Sequence, residues 1–176
     1  DCSLVQITET VPPSALFGTY MYLSSVSESF VRHARELTDR LTDTRKLGPG
    51  SLVVEIASND GYLLQHYAVR RVPVLGIDPA QNLAEVARRE RGIPTLPEFF
   101  SRDLARRLHA DGCRPDVIHA HNVLAHVADL NGFVEGLALL LRPGSVAVVE
   151  VPYVRDLADR LEFDTIYHEH LCYFSL

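Results

Sequence analysis

Four ionisable side chains stand in a row at Tyr167, His168, Glu169 and His170, with Tyr173 close behind. Imidazole is the side chain best poised to move a proton near neutral pH. A neighbouring phenol or carboxylate can orient it, or steady charge that develops on a reacting oxygen. The row therefore suits removal of a proton beside a carbonyl. A second group comprises His119, His121 and His126. One of His119 and His121 is expected to face inward at a strand end, and His126 lies about one helical turn beyond Asn122. No Cys or His at finger spacing accompanies these histidines, so no metal site is expected in this chain. His168 by itself reads equally well as a satisfied, partly buried histidine, and His33, His66 and His109 read as ordinary helix residues.

A second centre of chemistry lies at Glu55-Ile56-Ala57-Ser58-Asn59-Asp60-Gly61, followed by Val74 to Ile77 and then Asp78. An apolar run ends in an acidic turn of small residues, and the next apolar run ends in a lone carboxylate. Small residues let backbone approach a ligand, and an acid about twenty residues past the first turn can grip both hydroxyls of a ribose. The turn argues against a dinucleotide. A pyrophosphate site wants Gly-x-Gly-x-x-Gly at a helix N-terminus, whereas here Gly61 stands alone and Asp60 would repel phosphate. S-adenosylmethionine has no phosphate and carries an ammonium and a sulfonium, so Glu55 and Asp60 suit it better.

These groups need a frame. Leu52 to Ile56, Val74 to Ile77, Thr95-Leu96, Val117 to Ala120 and Val146 to Val149 read as strands. Between them fall helical stretches: Gly61 to Tyr67, a helix through Leu83, Val86 and Ala87 ended by Gly92, one capped by Ser101, and one capped by Asp129. Apolar strands alternating with helices predict an α/β fold, a Rossmann-like and mostly parallel sheet covered on both faces. Ligands then collect beyond the carboxyl ends of the strands, where Glu55 to Gly61, Asp78, the Glu98 region, His119 to Asn122 and Glu150 to Tyr153 can converge. Ahead of the sheet, residues 1 to about 23 read as a connector. A capping box at Ser25 to Glu28 opens a helix whose buried face is Val26, Phe30, Ala34, Leu37 and Leu41. The expected division is a connector and helix over 1–47 and a cofactor-binding core over 48–176.

Composition narrows the partners. A formal net charge of -6 over 176 residues argues against a nucleic-acid surface. The arginines at 88–91 and 102–107 alternate with Ala, Leu and acids and read as solvated helix faces. Three scattered cysteines imply no disulfide framework and fit a reducing cytoplasm. No apolar run reaches membrane-spanning length, and no signal peptide is visible. The chain lacks an initiator Met and stops within an apolar segment, so a piece of a longer protein is expected.

The turn resembles the first motif of class I S-adenosylmethionine-dependent methyltransferases, with Ala57 and Asn59 in place of two of the usual glycines. The form Glu55 to Gly61 is similar to that of sugar C-methyltransferases of deoxysugar biosynthesis. So are Tyr20 to Ser27, Glu98-Phe99-Phe100-Ser101, His121-Asn122-Val123-Leu124-Ala125-His126 and Tyr167 to Ser175. The resemblance covers essentially the whole chain, in order. It implies methylation at C3 of a nucleotide-linked 4-keto-deoxysugar through an enolate, with S-adenosylmethionine as methyl donor. It makes His170 the general base and gives His126 a role in polarising the carbonyl or steadying the enolate, with Tyr167 and Glu169 orienting the sugar. It places Glu55, Ala57, Ser58, Asn59, Asp60, Gly61, Asp78, Glu98, Phe99, Asn122 and Val123 around the cofactor, and Tyr22, Ser25, Tyr153 and His168 near the sugar. It also implies a zinc module of four cysteines ahead of this core and an α/β domain after it. Cys2 stands where the module's last ligand would be and is expected to hold no metal here. Two alternatives stay open: a Rossmann-type nucleotide-sugar oxidoreductase, and a non-catalytic fragment that binds the cofactor.

Overall fold

The computed structural model describes residues 4–175; Cys2, the expected last ligand of a zinc module, lies outside them. The elements run β1 (Val5–Gln6), α1 (Pro13–Phe17), a 3-10 turn (Ser24–Val26), α2 (Glu28–Arg45), β2 (Val53–Ile56), α3 (Leu64–Ala68), β3 (Val74–Ile77) and α4 (Gln81–Arg91). Then follow β4 (Thr95–Leu96), α5 (Arg102–Ala110), β5 (Val117–His121), a 3-10 turn (Leu124–His126), α6 (Leu130–Leu140), β6 (Val146–Glu150), α7 (Val154–Arg160), a 3-10 turn (Phe163–Thr165) and β7 (Cys172–Tyr173). Five strands form one sheet in the order β4-β3-β2-β5-β6, each neighbouring pair parallel. The expected Rossmann-like α/β arrangement is therefore present.

Side chains alternate across a strand, so each strand feeds both faces of the sheet. Val54, Ile56, Ile118 and Ala120 meet Leu104, Ala105 and Leu108 of α5 and Phe133, Leu137 and Leu140 of α6. Val53 and Val117 meet Ala34 of α2, Leu63 and the α3 residues Leu64 and Tyr67. β2 is central and wholly buried, Glu55 included. Because His119 and His121 are two apart, they share a face, and both are buried rather than one inward and one outward.

The predicted caps at Ser101 and Asp129 are present, accepting from the amides of Leu104 at 3.2 Å and Gly132 at 2.9 Å. Gly92 ends α4 in the left-handed conformation, φ +66°. The capping box differs. The 3-10 turn takes up Ser25, and Ser27 becomes the cap, its hydroxyl accepting from the Phe30 amide. Ala34 and Leu37 are buried as predicted, but Val26 precedes the helix and is exposed, and Phe30 borders a cavity instead of the core.

Residues read as connector hold more structure than expected. β1 pairs antiparallel with β7, Val5 opposite Tyr173 and Gln6 opposite Cys172. The Leu171 amide donates to the Ala125 carbonyl at 2.7 Å, tying this small sheet to the segment after β5. Among the described residues no helix is long and apolar enough to cross a membrane.

Candidate active site

A cavity of about 730 Å³ opens at the carboxyl ends of the strands. It falls within the size range of small-molecule sites. One end is built by the turn after β2. Ala57, Asn59 and Gly61 have φ of +57°, +50° and +80°. Left-handed backbone at Ala costs about 1–2 kcal/mol, and such strain gathers where a turn must meet a ligand. Glycine at 76 lets this turn close over β3, because a Cβ there would lie 2.5 Å from the Ser58 hydroxyl.

Asp78, at the end of β3, joins the turn to the next strand. Its Oδ2 accepts from the Asn59 amide at 2.7 Å and its Oδ1 from the Ala80 amide at 2.9 Å. Burial raises the Asp78 pKa, against the two backbone hydrogen bonds, which lower it. Glu55 lies below, fully buried. Its pKa is raised well above the ordinary value by burial and then by the charges of Asp78 and Asp60, and its Oε2 has no hydrogen-bond partner. Asp60 is fully buried and does not line the cavity; its Oδ2 pairs with Arg91 at 3.1 Å, and its Oδ1 has no hydrogen-bond partner. Its charge acts from beneath the turn, raising the pKa values of Glu55 and Asp78.

Two asparagine amides form a strap over the next wall. Asn59 donates from Nδ2 to the Tyr22 carbonyl at 3.0 Å and accepts at Oδ1 from the Ser24 amide at 2.9 Å. Asn82, in the first turn of α4, donates to the Tyr20 carbonyl at 2.7 Å and accepts from the Tyr20 amide at 3.2 Å. Each side chain thus offers extended backbone the donor and acceptor of a neighbouring strand. Residues 20–24 are held along the cavity, and Tyr20, Tyr22 and Ser24 line it.

The histidine group closes the far end. His170 is buried, and its Nδ1 lies 2.8 Å from the Thr165 carbonyl. A carbonyl only accepts, so Nδ1 carries a hydrogen, and in the neutral ring the lone pair is on Nε2. Nε2 faces the Tyr167 hydroxyl at 3.1 Å. The pKa of Tyr167 is raised by burial and by Glu169, so its phenol stays protonated. His126 sits with its ring centre 4.9 Å from that of His170. Burial and then His170 lower its pKa to about 4, which keeps the imidazole neutral at pH 7. Its Nδ1 is buried without a hydrogen-bond partner. Phe17 of α1 packs edge-on against His126, centroids 5.4 Å apart. The Tyr20 hydroxyl reaches Glu169 Oε2 at 3.5 Å, and burial followed by Glu169 pushes the Tyr20 pKa up to about 12.

Of the residues singled out in the sequence, Tyr22, Ala57, Asn59, Asp78, Phe99, Asn122, Val123, His126, Tyr167 and His170 line this one cavity. Glu55 and Ser58 are buried beneath the turn, and Gly61, at its end, packs toward Ile93. Glu98 turns outward to Arg107. Ser25 is held in its 3-10 turn, Tyr153 bridges to Phe174, and His168 is exposed on the turn before His170. Sequence reasoning did not single out Phe17 or Tyr62, which line the cavity, or Asn82, which straps its wall. Phe17 lies in a helix of five residues flanked by Pro12 and Gly18, too short to announce itself by periodicity.

Residues 28–176 match a protein family described as a methyltransferase domain. The chain is 36% identical over 175 residues to the C-methyltransferase NovU of Streptomyces niveus, covering 99% of this chain and 41% of NovU. A ubiquinone biosynthesis O-methyltransferase of a Methylobacterium strain is 31% identical over 104 residues, 57% of this chain and 42% of that protein. The chain thus spans less than half the length of both relatives. Among solved structures, DesVI of Streptomyces venezuelae superposes with a TM-score of 0.58 at 20% identity, over 73% of this chain and 53% of DesVI. The plantazolicin methyltransferase BpumL, in complex with SAH, gives 0.57 at 16% identity, over 77% and 52%. With the sheet order and the cavity at its carboxyl edge, the fold is that of class I Rossmann-like methyltransferases, and the chain belongs to the methyltransferase domain family.

Proposed function

We propose that this chain carries the donor site and the base of an S-adenosylmethionine-dependent C-methyltransferase acting at C3 of a nucleotide-linked 4-keto-deoxysugar. The observation that carries the proposal is a single cavity with Asp78 at one end and His126, Tyr167 and His170 at the other. A methyl donor and a carbon acid can meet only in such a shared space. The match to a C-methyltransferase along 99% of this chain supports the same reading.

The donor end fits S-adenosylmethionine. Each Asp78 oxygen accepts one backbone amide and keeps a lone pair for a ribose hydroxyl. Glu55 lies beneath the turn with its pKa raised, so a cation bound above the turn would favour its ionised form. Phe99 and Phe100 offer apolar surface for a base. When bound, the cofactor supplies an electrophilic methyl group.

The acceptor end fits a carbon acid. Carbon has no lone pair, so a proton must leave before a methyl can arrive. His170 Nε2 takes the proton from the carbon beside the carbonyl, and the Thr165 carbonyl steadies the imidazolium that forms. Tyr167 then turns its hydroxyl from Nε2 toward the developing enolate oxygen. Neutral His126 offers an N–H to the same oxygen, a role that needs no charge on the ring. Phe17 and Tyr20 screen the group from water. Glu169 orients Tyr20 and the sugar. Calorimetry on the purified full chain tests the donor half: saturable binding of S-adenosylmethionine is expected, and binding of NADH in its place would point to a nucleotide-sugar oxidoreductase. Exchange of the sugar's C3 hydrogen with deuterated water tests the acceptor half.

A further inference from the structure

Glu150 ends the edge strand β6, in register with His121 of β5. Its side chain is 40% exposed, yet both oxygens are engaged. Oε1 accepts from Asn122 Nδ2 at 3.0 Å. Oε2 lies 3.0 Å from His33 Nε2 and 3.5 Å from His121 Nδ1. The Glu150 carbonyl accepts from the Asn122 amide at 2.8 Å. Three elements, α2, β5 and β6, are thus tied at one carboxylate.

The carboxylate also orders the groups behind it. It is held ionised, its pKa lowered to about 2, first by the His121 hydrogen bond and against the effect of burial. An ionised carboxylate only accepts, so His121 presents N–H at Nδ1. His121 Nε2 lies 2.8 Å from His119 Nδ1, and one of the two donates. His119 Nε2 in turn lies 2.9 Å from the Tyr67 hydroxyl. A hydrogen-bonded chain thus runs from the sheet edge to the core, and its order depends on the nitrogen that faces Glu150.

His121 and Asn122 both line the cavity, and Asn122 is left-handed, φ +51°. We propose that Glu150 is a positioning residue for donor binding: its two oxygens hold Asn122 in the left-handed turn and set the orientation of His121, fixing the cavity wall beside the methyl donor. This rests on the methyltransferase reading above. Tyr67, at the end of the hydrogen-bond chain, does not line the cavity, so the effect on binding passes through His121 and Asn122 alone.

In the full chain, Glu150→Gln keeps one accepting oxygen and replaces the other with a group that only donates. The Kd for S-adenosylmethionine is expected to rise roughly tenfold or more, the loss of one hydrogen bond to a charged group. The imidazole 15N signals of His119 and His121 are expected to leave their wild-type tautomer pattern, a change that simple loosening of the fold would not produce selectively. Should Glu150→Gln fail to fold, position 122 carries the test. Asn122→Gly keeps the left-handed turn without steric cost and loses less donor affinity than Asn122→Ala. A wild-type Kd in Glu150→Gln, a raised Kd with unchanged imidazole signals, or equal losses for Gly and Ala at 122 overturns the assignment. Failure of the methyltransferase reading would look different, as absence of S-adenosylmethionine binding by the unsubstituted protein.

Discussion

The Nδ1–H of His170 donates to the carbonyl of Thr165 at 2.8 Å, and that bond leaves Nε2 as the nitrogen able to take a proton. The proposed base is thereby defined to the atom. His170→Ala is expected to lower C3 hydrogen exchange by about 10²–10⁴-fold, the usual contribution of a positioned general base. S-adenosylmethionine affinity should change little. Mass spectrometry of the sugar in deuterated water reads the exchange, and exchange at the wild-type rate would remove His170 as the base.

Asp78 anchors two backbone amides, and the proposed donor site uses the same carboxylate. Asp78→Ala leaves the Asn59 and Ala80 amides, bonded at 2.7 and 2.9 Å, without acceptors. Each orphaned amide costs about 1–3 kcal/mol if no water reaches it. Donor affinity is expected to fall at least about tenfold, together with a lower unfolding midpoint. Asp78→Asn keeps an accepting oxygen for one amide and should lose less stability. Calorimetry and urea unfolding of both variants separate the two roles.

Buried neutral histidines make the fold acid-sensitive. The His119 pKa is lowered from 6.5 to about 3 by burial and then by His121, and that of His126 from 6.5 to about 4 by burial and then by His170. Unfolding lets both take up protons, so between those values the unfolded chain binds more. Their contribution is complete above pH 6.5 and is lost as pH falls toward about 4 for His126 and about 3 for His119. Each group contributes a slope of about 1.4 kcal/mol per pH unit within its window. Urea titrations at pH 7, 6 and 5 should show the decline, and His119→Gln should shallow it even though the variant starts less stable.

Asn82 holds the strap from outside the cavity. Asn82→Ala removes both bonds to the Tyr20 backbone at an exposed site. Global stability should fall by less than about 1 kcal/mol, since these bonds compete with water. Hydrogen exchange at the Tyr20 amide should accelerate markedly while amides of β2 and β5 stay protected. Equal protection of Tyr20 in both proteins would refute the strap.

Much of the sheet was legible because its strands are short apolar runs separated by caps that bond locally. Ser101 and Asp129 announce their helices through their own side chains. What escaped reading depends on distant partners. The pairing of β1 with β7 joins residues more than 160 positions apart, and neither strand exceeds two residues. Asp60 looked like a cavity acid, but it is buried off the lining and paired with Arg91 at the end of α4, two helices and one strand further along. Asn59 was placed around the cofactor and does line the cavity, but that its side-chain amide also bonds Tyr22 and Ser24 could not be read from the sequence. The histidine cluster was readable as residues but not as tautomers, which are set by carbonyls and carboxylates brought in by the fold.

The strap touches both ends of the cavity. Asn59 and Asn82 grip it beside Asp78, and the Tyr20 hydroxyl, at its start, meets Glu169 beside the proposed base. One short segment, residues 20–24, therefore borders Asp78 and the histidine group alike, so a substitution that loosens its grip at one of them is felt at the other.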